Sequence, residues 1–296
     1  MKAVKIKGVV TALVTPFNSK DKIDYTTFER LIISQKNAKI DGVVLFGTTG
    51  EGVSLSLPEK KSLILFAKRL LGDTIPLFCG ISTPYTADAV KLAKFYQKLE
   101  CDGILLTTPF YYKTTTLGVF NHFKAVLSSC ELPIMLYNVP KRTNCDISQD
   151  SNLLQEFSLE KKICGIKHAG ISLKNSIDLL KNCSLPLFCG NDCYLYDLLH
   201  LGYHGAVCVV SNIYPKSVKK LYDCIRANDL TTAKEIFEKL KPLLNAFERE
   251  PNPIPVKYAV SILYGAKVAY RLPLVEPSLE TKKQIENFIN NYSEEI

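Results

Sequence analysis

Ile163-Cys164-Gly165-Ile166-Lys167 is a short β-branched, apolar run closed by a lysine. Runs of this kind form strands buried on both faces, the pattern of parallel sheets. A lysine placed there loses hydration that an exposed one keeps, so its pKa should fall and part of the population should carry a free amine. Desolvated lysines form Schiff bases with carbonyl substrates, and strand-end lysines are also ordinary ion-pair partners. The run alone leaves both readings open.

Working outward, runs of the same type cover residues 9–14, 42–46, 76–79, 103–107, 133–137, 186–189 and 206–210. Between them lie longer stretches, among them 25–38, 58–71 and 86–99, whose apolar residues recur at three- and four-residue steps, with Pro58 placed as a helix opener. This is the rhythm of βαβ units. A faint repeat supports it: Ile75-Pro76-Leu77-Phe78-Cys79-Gly80 matches Leu185-Pro186-Leu187-Phe188-Cys189-Gly190, and Leu132-Pro133-Ile134-Met135-Leu136-Tyr137 is a looser copy. Eight strands, each followed by a helix, predict a closed (β/α)8 TIM barrel. A doubly wound sheet usually has fewer strands and a glycine fingerprint after the first, which this chain lacks. After residue 225 the strand signals stop, and 230–248, 254–263 and 279–292 read as helices punctuated by prolines. The expected organisation is a catalytic barrel over 1–225 and a C-terminal helical region over 226–296.

Composition narrows the function. At 296 residues and 47% hydrophobic, the chain has ample core, yet no stretch approaches the ~18 consecutive apolar residues of a membrane span. The basic residues 1–7 lead into Gly8 without a continuous apolar region or a small-residue cleavage site, so a soluble cytoplasmic protein is expected. Ten scattered cysteines read as buried thiols, and with no CxxC pair no metal site is implied. His200 and His204 share a helical spacing, but Gly202 and Gly205 mark a helix end there. The net charge of +8 is spread over single lysines and pairs such as Lys60-Lys61, with no basic cluster, which argues against nucleic-acid binding.

In a barrel, reactive groups sit at the C-terminal ends of the strands. The second run ends in Gly47-Thr48-Thr49-Gly50-Glu51-Gly52, where glycines let amides turn toward an anion beside two hydroxyls. A phosphate loop would continue with lysine; this chain continues Val53-Ser54, so a small carboxylate suits it better than a nucleotide, and an unliganded turn remains open. The fifth run ends in Tyr137, with Arg142 five residues on: a phenol able to move protons near an imine, and a guanidinium able to clamp a carboxylate. The fourth leads to Pro109-Phe110-Tyr111-Tyr112-Lys113, which could equally pack or form an interface. The seventh leads to Gly190-Asn191-Asp192, where Asp192 could be a helix N-cap.

Together these motifs resemble the pyruvate-dependent class I aldolase family typified by dihydrodipicolinate synthase, over nearly the full chain. The resemblance implies that Lys167 forms the imine with pyruvate. It also implies that Thr48, Tyr137 and Tyr111 form a proton relay, with Tyr111 reaching in from a neighbouring subunit. Thr49 matches the binder of the pyruvate carboxylate, Arg142 that of the aldehyde's carboxylate, and Gly190 and Val207 match backbone-carbonyl contacts. Aspartate semialdehyde is the expected second substrate, because Arg142 would pair with its carboxylate. Lysine and diaminopimelate biosynthesis is the implied pathway, without metal or organic cofactor, in a homotetramer built from dimers. Other pyruvate aldolases of the family, N-acetylneuraminate lyase and keto-deoxy sugar-acid aldolases, stay open as alternatives, as does a barrel that has lost catalysis and only binds or regulates.

Three departures stand out. His168 follows Lys167 where the family commonly has glutamate, and alternation along a strand points it away from the interior. Phe110-Tyr111-Tyr112 replaces the usual Tyr-Tyr-Asn, so Tyr112 competes with Tyr111 for the relay position. Relatives inhibited by lysine bind it between subunits at positions matching Gly52, Val53, Leu57, Lys60, Pro84, Asp88 and Phe110. Several of these carry no polar side chain here and Lys60 would repel an ammonium, so weak or absent inhibition is expected.

Overall fold

The computed structural model describes residues 6–294; residues 1–5 of the basic N-terminal stretch and residues 295–296 lie outside them. Eight parallel strands close into one barrel in sequence order: β1 Gly8–Ala12, β2 Gly42–Leu45, β3 Leu77–Ile81, β4 Gly103–Thr107, β5 Ile134–Asn138, β6 Ile163–His168, β7 Leu187–Cys189 and β8 Gly205–Cys208, with β8 pairing back onto β1. Helices α1 Tyr25–Asn37, α2 Leu57–Leu71, α3 Thr86–Lys98, α4 Thr116–Leu127, the single turn α5 Pro140–Thr143, α6 Ser151–Ser158, α7 Leu173–Asn182, α8 Leu195–Leu201 and α9 Pro215–Arg226 fill the connections. The C-terminal helices are α10 Leu230–Glu248, α11 Ile254–Tyr264 and α12 Leu279–Asn291. No helix among the described residues is long and apolar enough to cross a membrane.

Element starts follow local chemistry. Ser56 caps α2 in a reciprocal box with Glu59, which places Pro58 in the first turn, where its missing N–H costs nothing. Pro76, Pro133 and Pro186 each precede their strand by one residue, since proline has no N–H to donate to the ladder. Three strand ends fall two residues from expectation, and β1 is one of them, stopping at Ala12. β3 continues through Ile81, because Gly80 passes close against the Phe46 carbonyl and keeps the ladder going. β8 stops at Cys208, because Val209 turns into the right-handed helical region and a 3-10 turn follows at Val210–Asn212.

Alternation sorts the side chains into two cores. Val9, Val43, Leu45, Leu77, Cys79, Ile104, Leu106, Leu136 and Ile166 face the helices. Val10, Ala12, Val44, Phe78, Leu105, Met135, Tyr137, Phe188 and Val207 fill the lumen. Strict alternation from Ile163, which faces the helices, would point Lys167 outward too. The ladder between β5 and β6 breaks that parity. Ile134 pairs with Ile163, but Met135 pairs with Gly165, so Cys164 is an extra residue and the strand beyond it is inverted. Tyr137 then pairs with Lys167, and both belong to the inward set.

Only glycine fits at the bulge. Gly165 has φ 153°, and a Cβ there would lie 2.6 Å from the Pro186 carbonyl oxygen and 2.9 Å from the Phe188 ring. At Gly42 the nearest atoms to an added Cβ lie at 3.4 Å, ordinary contact. Gly165→Ala should therefore cost about 1–3 kcal/mol of stability, read as a lowered denaturant midpoint, while Gly42→Ala stays near wild type. Equal midpoints for the two variants would show that the inversion does not need glycine.

Candidate active site

Thr107, Tyr137, Lys167 and Phe188 lie side by side across β4 to β7. Lys167 is 5% exposed, and its Nζ sits 4.4 Å from the centroid of the Tyr137 ring. The two open into a cavity of about 520 Å³ at the C-terminal end of the barrel, whose wall includes Thr49, Arg142, Gly190 and Asp192. Its other side is formed by the end of α10, the segment 249–252 and the start of α11, so the appended helices help enclose the site.

Behind β6, His168 faces outward, as alternation requires, and is buried. Its Nδ1 lies 3.0 Å from Asn138 Nδ2, which also donates to Asp146 Oδ1 at 2.7 Å, and its Nε2 lies 2.9 Å from Asn175 Oδ1. Asn138 Nδ2 can only donate and Asn175 Oδ1 can only accept, so the ring is neutral and carries its proton on Nε2. Burial holds the His168 pKa below its ordinary value, against the opposing pull of Asp146 and the bond to Asn175. This network ties β6 to β5 and α7 one residue from Lys167.

The loop after β2 is wound tightly, with Phe46 and Glu51 in left-handed conformations at φ 60° and 51°. Gly52 presses against the Phe46 carbonyl, where a Cβ would come within 2.0 Å. Two of the amides expected to face an anion close the loop instead, Glu51 N to Thr48 O and Gly52 N to Gly47 O. Thr49 is buried, and its Oγ1 accepts from Asn252 Nδ2 at 3.0 Å. Glu51 forms a buried ion pair with Lys257 of α11. Burial pushes the Glu51 pKa up and the Lys257 pKa down, each opposed by the partner's charge.

Arg142, on α5, donates from Nη2 to the Asn252 carbonyl at 2.8 Å. It lines the main cavity and also a second one of about 270 Å³, where Thr48, Thr107 and Asn252 join it. Asn252 thus holds Thr49 with its side chain and Arg142 with its backbone. Asp192 is no N-cap: Asn191 caps the turn, accepting from Cys193 N at 3.1 Å, while Asp192 Oδ2 accepts from Val209 N and Val210 N at 2.9 and 2.6 Å.

Of the residues singled out from sequence, Lys167, Tyr137, Thr49, Arg142 and Gly190 line one cavity. Thr48 lines the neighbouring one. Val207 is sealed in the barrel wall, and Val209 reaches the cavity in its place. Tyr111 lies outside both, 87% exposed, at φ 73°, with its ring edge-on to Tyr112. Asn252 and the linking role of Asp192 were not read from the sequence. The only signal for Asn252 was its place in the Pro251-Asn252-Pro253 break between two helices.

The model of the dihydrodipicolinate synthetase family matches residues 5–292. A 4-hydroxy-tetrahydrodipicolinate synthase of Rickettsia bellii (strain OSU 85-389) is 40% identical over 289 residues, covering 97% of each chain. Among solved structures, dihydrodipicolinate synthase from Thermotoga maritima is 31% identical with a TM-score of 0.92, covering 97% of this chain and 98% of that one. The enzyme from Cyanidioschyzon merolae with lysine bound is 28% identical with a TM-score of 0.89, covering 96% and 97%. A closed eight-stranded barrel with a buried lumen lysine, matched in sequence and backbone across almost its whole length, belongs to the dihydrodipicolinate synthetase family.

Proposed function

We propose that this chain condenses pyruvate with L-aspartate-4-semialdehyde through a Schiff base on Lys167, the reaction that commits carbon to lysine and diaminopimelate. The observation that carries this reading is the enclosed Lys167 amine over the Tyr137 ring, in one cavity with Thr49 and Arg142. The amine attacks the pyruvate ketone, the imine loses a methyl proton to give the enamine, and that carbon adds to the aldehyde. The substrate's own amine then displaces Lys167 and closes the ring.

In this scheme Thr49 anchors the pyruvate carboxylate and Arg142 that of the semialdehyde, both bonded to Asn252. Thr48 and Tyr137 relay protons, and the Gly190 carbonyl completes the pyruvate contacts; the sealed Val207 is left out of them. Tyr111, exposed in a single chain, serves the relay of a neighbouring subunit, which calls for a dimer and fits a homotetramer of dimers. The setting is cytoplasmic.

The positions matching the lysine site of feedback-inhibited relatives offer little to a diamine. Val53 and Leu57 are 69% and 52% exposed and apolar, while Asp88 is already paired with Lys91 at 3.1 Å. Feedback by lysine is therefore weak or absent.

Borohydride added with pyruvate should attach the reduced adduct to Lys167, seen by peptide mass spectrometry, and Lys167→Ala should gain no mass; labelling at another lysine would overturn the assignment. Arg142→Ala removes a charge-assisted pair of about 1.5–3 kcal/mol, so KM for aspartate semialdehyde should rise roughly ten- to hundredfold with KM for pyruvate little changed. In steady-state assays submillimolar lysine should leave the rate unaltered, and marked inhibition there would mean that the Gly52 to Phe110 face does bind it.

A further inference from the structure

Asp192 is a carboxylate in the cavity that the scheme above leaves without a task. Oδ2 takes both N–H bonds from the turn after β8, whereas Oδ1 is out of contact with solvent and has no hydrogen-bond partner among the described residues. An enclosed carboxylate oxygen without a donor is costly, and a donor brought by a ligand removes the cost. Asp192 lines the cavity with Lys167, Arg142 and Gly190. Burial pushes its carboxyl up to about 6, against the two N–H bonds and the nearby Lys167, with Glu248 of α10 adding to the rise. A group in that range both accepts and releases protons near neutrality.

The reaction requires such a group at a definite moment. With its carboxylate on Arg142 and its aldehyde carbon beside Lys167, aspartate semialdehyde has one polar group left, the α-ammonium, and this cannot act as a nucleophile until it loses a proton. We propose that Asp192 Oδ1 receives that ammonium and takes one of its protons, releasing the amine that displaces Lys167. The proposal rests on the function argued above. The electron pair freed on nitrogen adds to the carbon of the protonated Lys167 imine, and a second N–H proton passes across the resulting diamine to Nζ. The C–Nζ bond then breaks with its pair on Nζ, leaving a free Lys167 amine, a protonated cyclic imine and a neutral Asp192 carboxyl that returns its proton to solvent.

Asp192→Asn tests the assignment, since the amide oxygen still accepts from Val209 and Val210 while basicity is lost. Borohydride trapping with pyruvate alone should label Lys167 as in wild type, showing that fold and first step are intact. Turnover with aspartate semialdehyde should fall about 10²–10⁴-fold, and trapping with both substrates should reveal the uncyclised adduct of pyruvate plus semialdehyde on Lys167, absent from wild type. Succinate semialdehyde, which lacks the amino group, should give the same trapped adduct with both proteins. Near-normal turnover without the adduct overturns the proposal, and so does loss of pyruvate labelling in the variant, which would place Asp192 in the first step. Failure of wild type to label with pyruvate would sink the imine reading itself, and this proposal with it.

Discussion

One inserted residue in β6 decides where the Lys167 amine points. A strand has a side-chain period of two, so a one-residue shift moves everything beyond it to the other face. Cys164 is that shift: beyond it Ile166 and His168 face the helices, and Lys167 faces the lumen opposite Tyr137. The bulge is held from both sides. Gly165 makes room for the Pro186 carbonyl and the Phe188 ring of β7, and the His168 network locks the outer face to Asn138 and Asn175. With the usual glutamate replaced by histidine, a neutral ring between a fixed donor and a fixed acceptor supplies the restraint without a buried charge.

The site is as much a product of the last quarter of the chain as of the barrel. Strand ends bring Lys167, Tyr137 and the threonines to one rim, and the segment after α10 closes over them. Asn252 does so by bonding Thr49 and Arg142 at once, so the two groups assigned to the two substrate carboxylates share one anchor. A shift of that segment would move both together, which suits a reaction that must bring two anionic substrates to one carbon–carbon bond.

Much of this was legible beforehand. Short continuous apolar runs alternating with longer amphipathic stretches were enough for the barrel, and the three C-terminal helices were expected within a residue or so of where they lie, because prolines and apolar periodicity are local signals. Lys167, Tyr137, Thr49, Arg142 and Gly190 could be placed at strand ends by the same logic. The bulge was not foreseen, although a glycine inside a β-branched run is the one local hint of it. Asp192 looked like a cap because its sequence neighbours say only that a helix follows; its partners, Val209 and Val210, belong to the turn after the next strand. Asn252 was invisible for the same reason: it lies some two hundred residues from Thr49 and more than a hundred from Arg142, and no spacing rule reaches that far.

The Glu51–Lys257 pair shows how the two parts are made dependent on each other. Removing two charges from water is costly, and their attraction offsets this only when both are in place. Lys257 also sits over the rings of Phe17 and Tyr270, at 4.6 and 5.0 Å, so its position is fixed by aromatic faces as well as by the carboxylate. With α11 undocked, Glu51 would stand on a left-handed residue at the barrel rim with no cation beside it, and the loop carrying Thr48 and Thr49 would lose its inner support. The docked arrangement is therefore the one in which the two buried charges are paired and the loop carrying the hydroxyls is supported. A barrel lumen offers an enclosed lysine, and the appended helices form the other side of the cavity into which it opens.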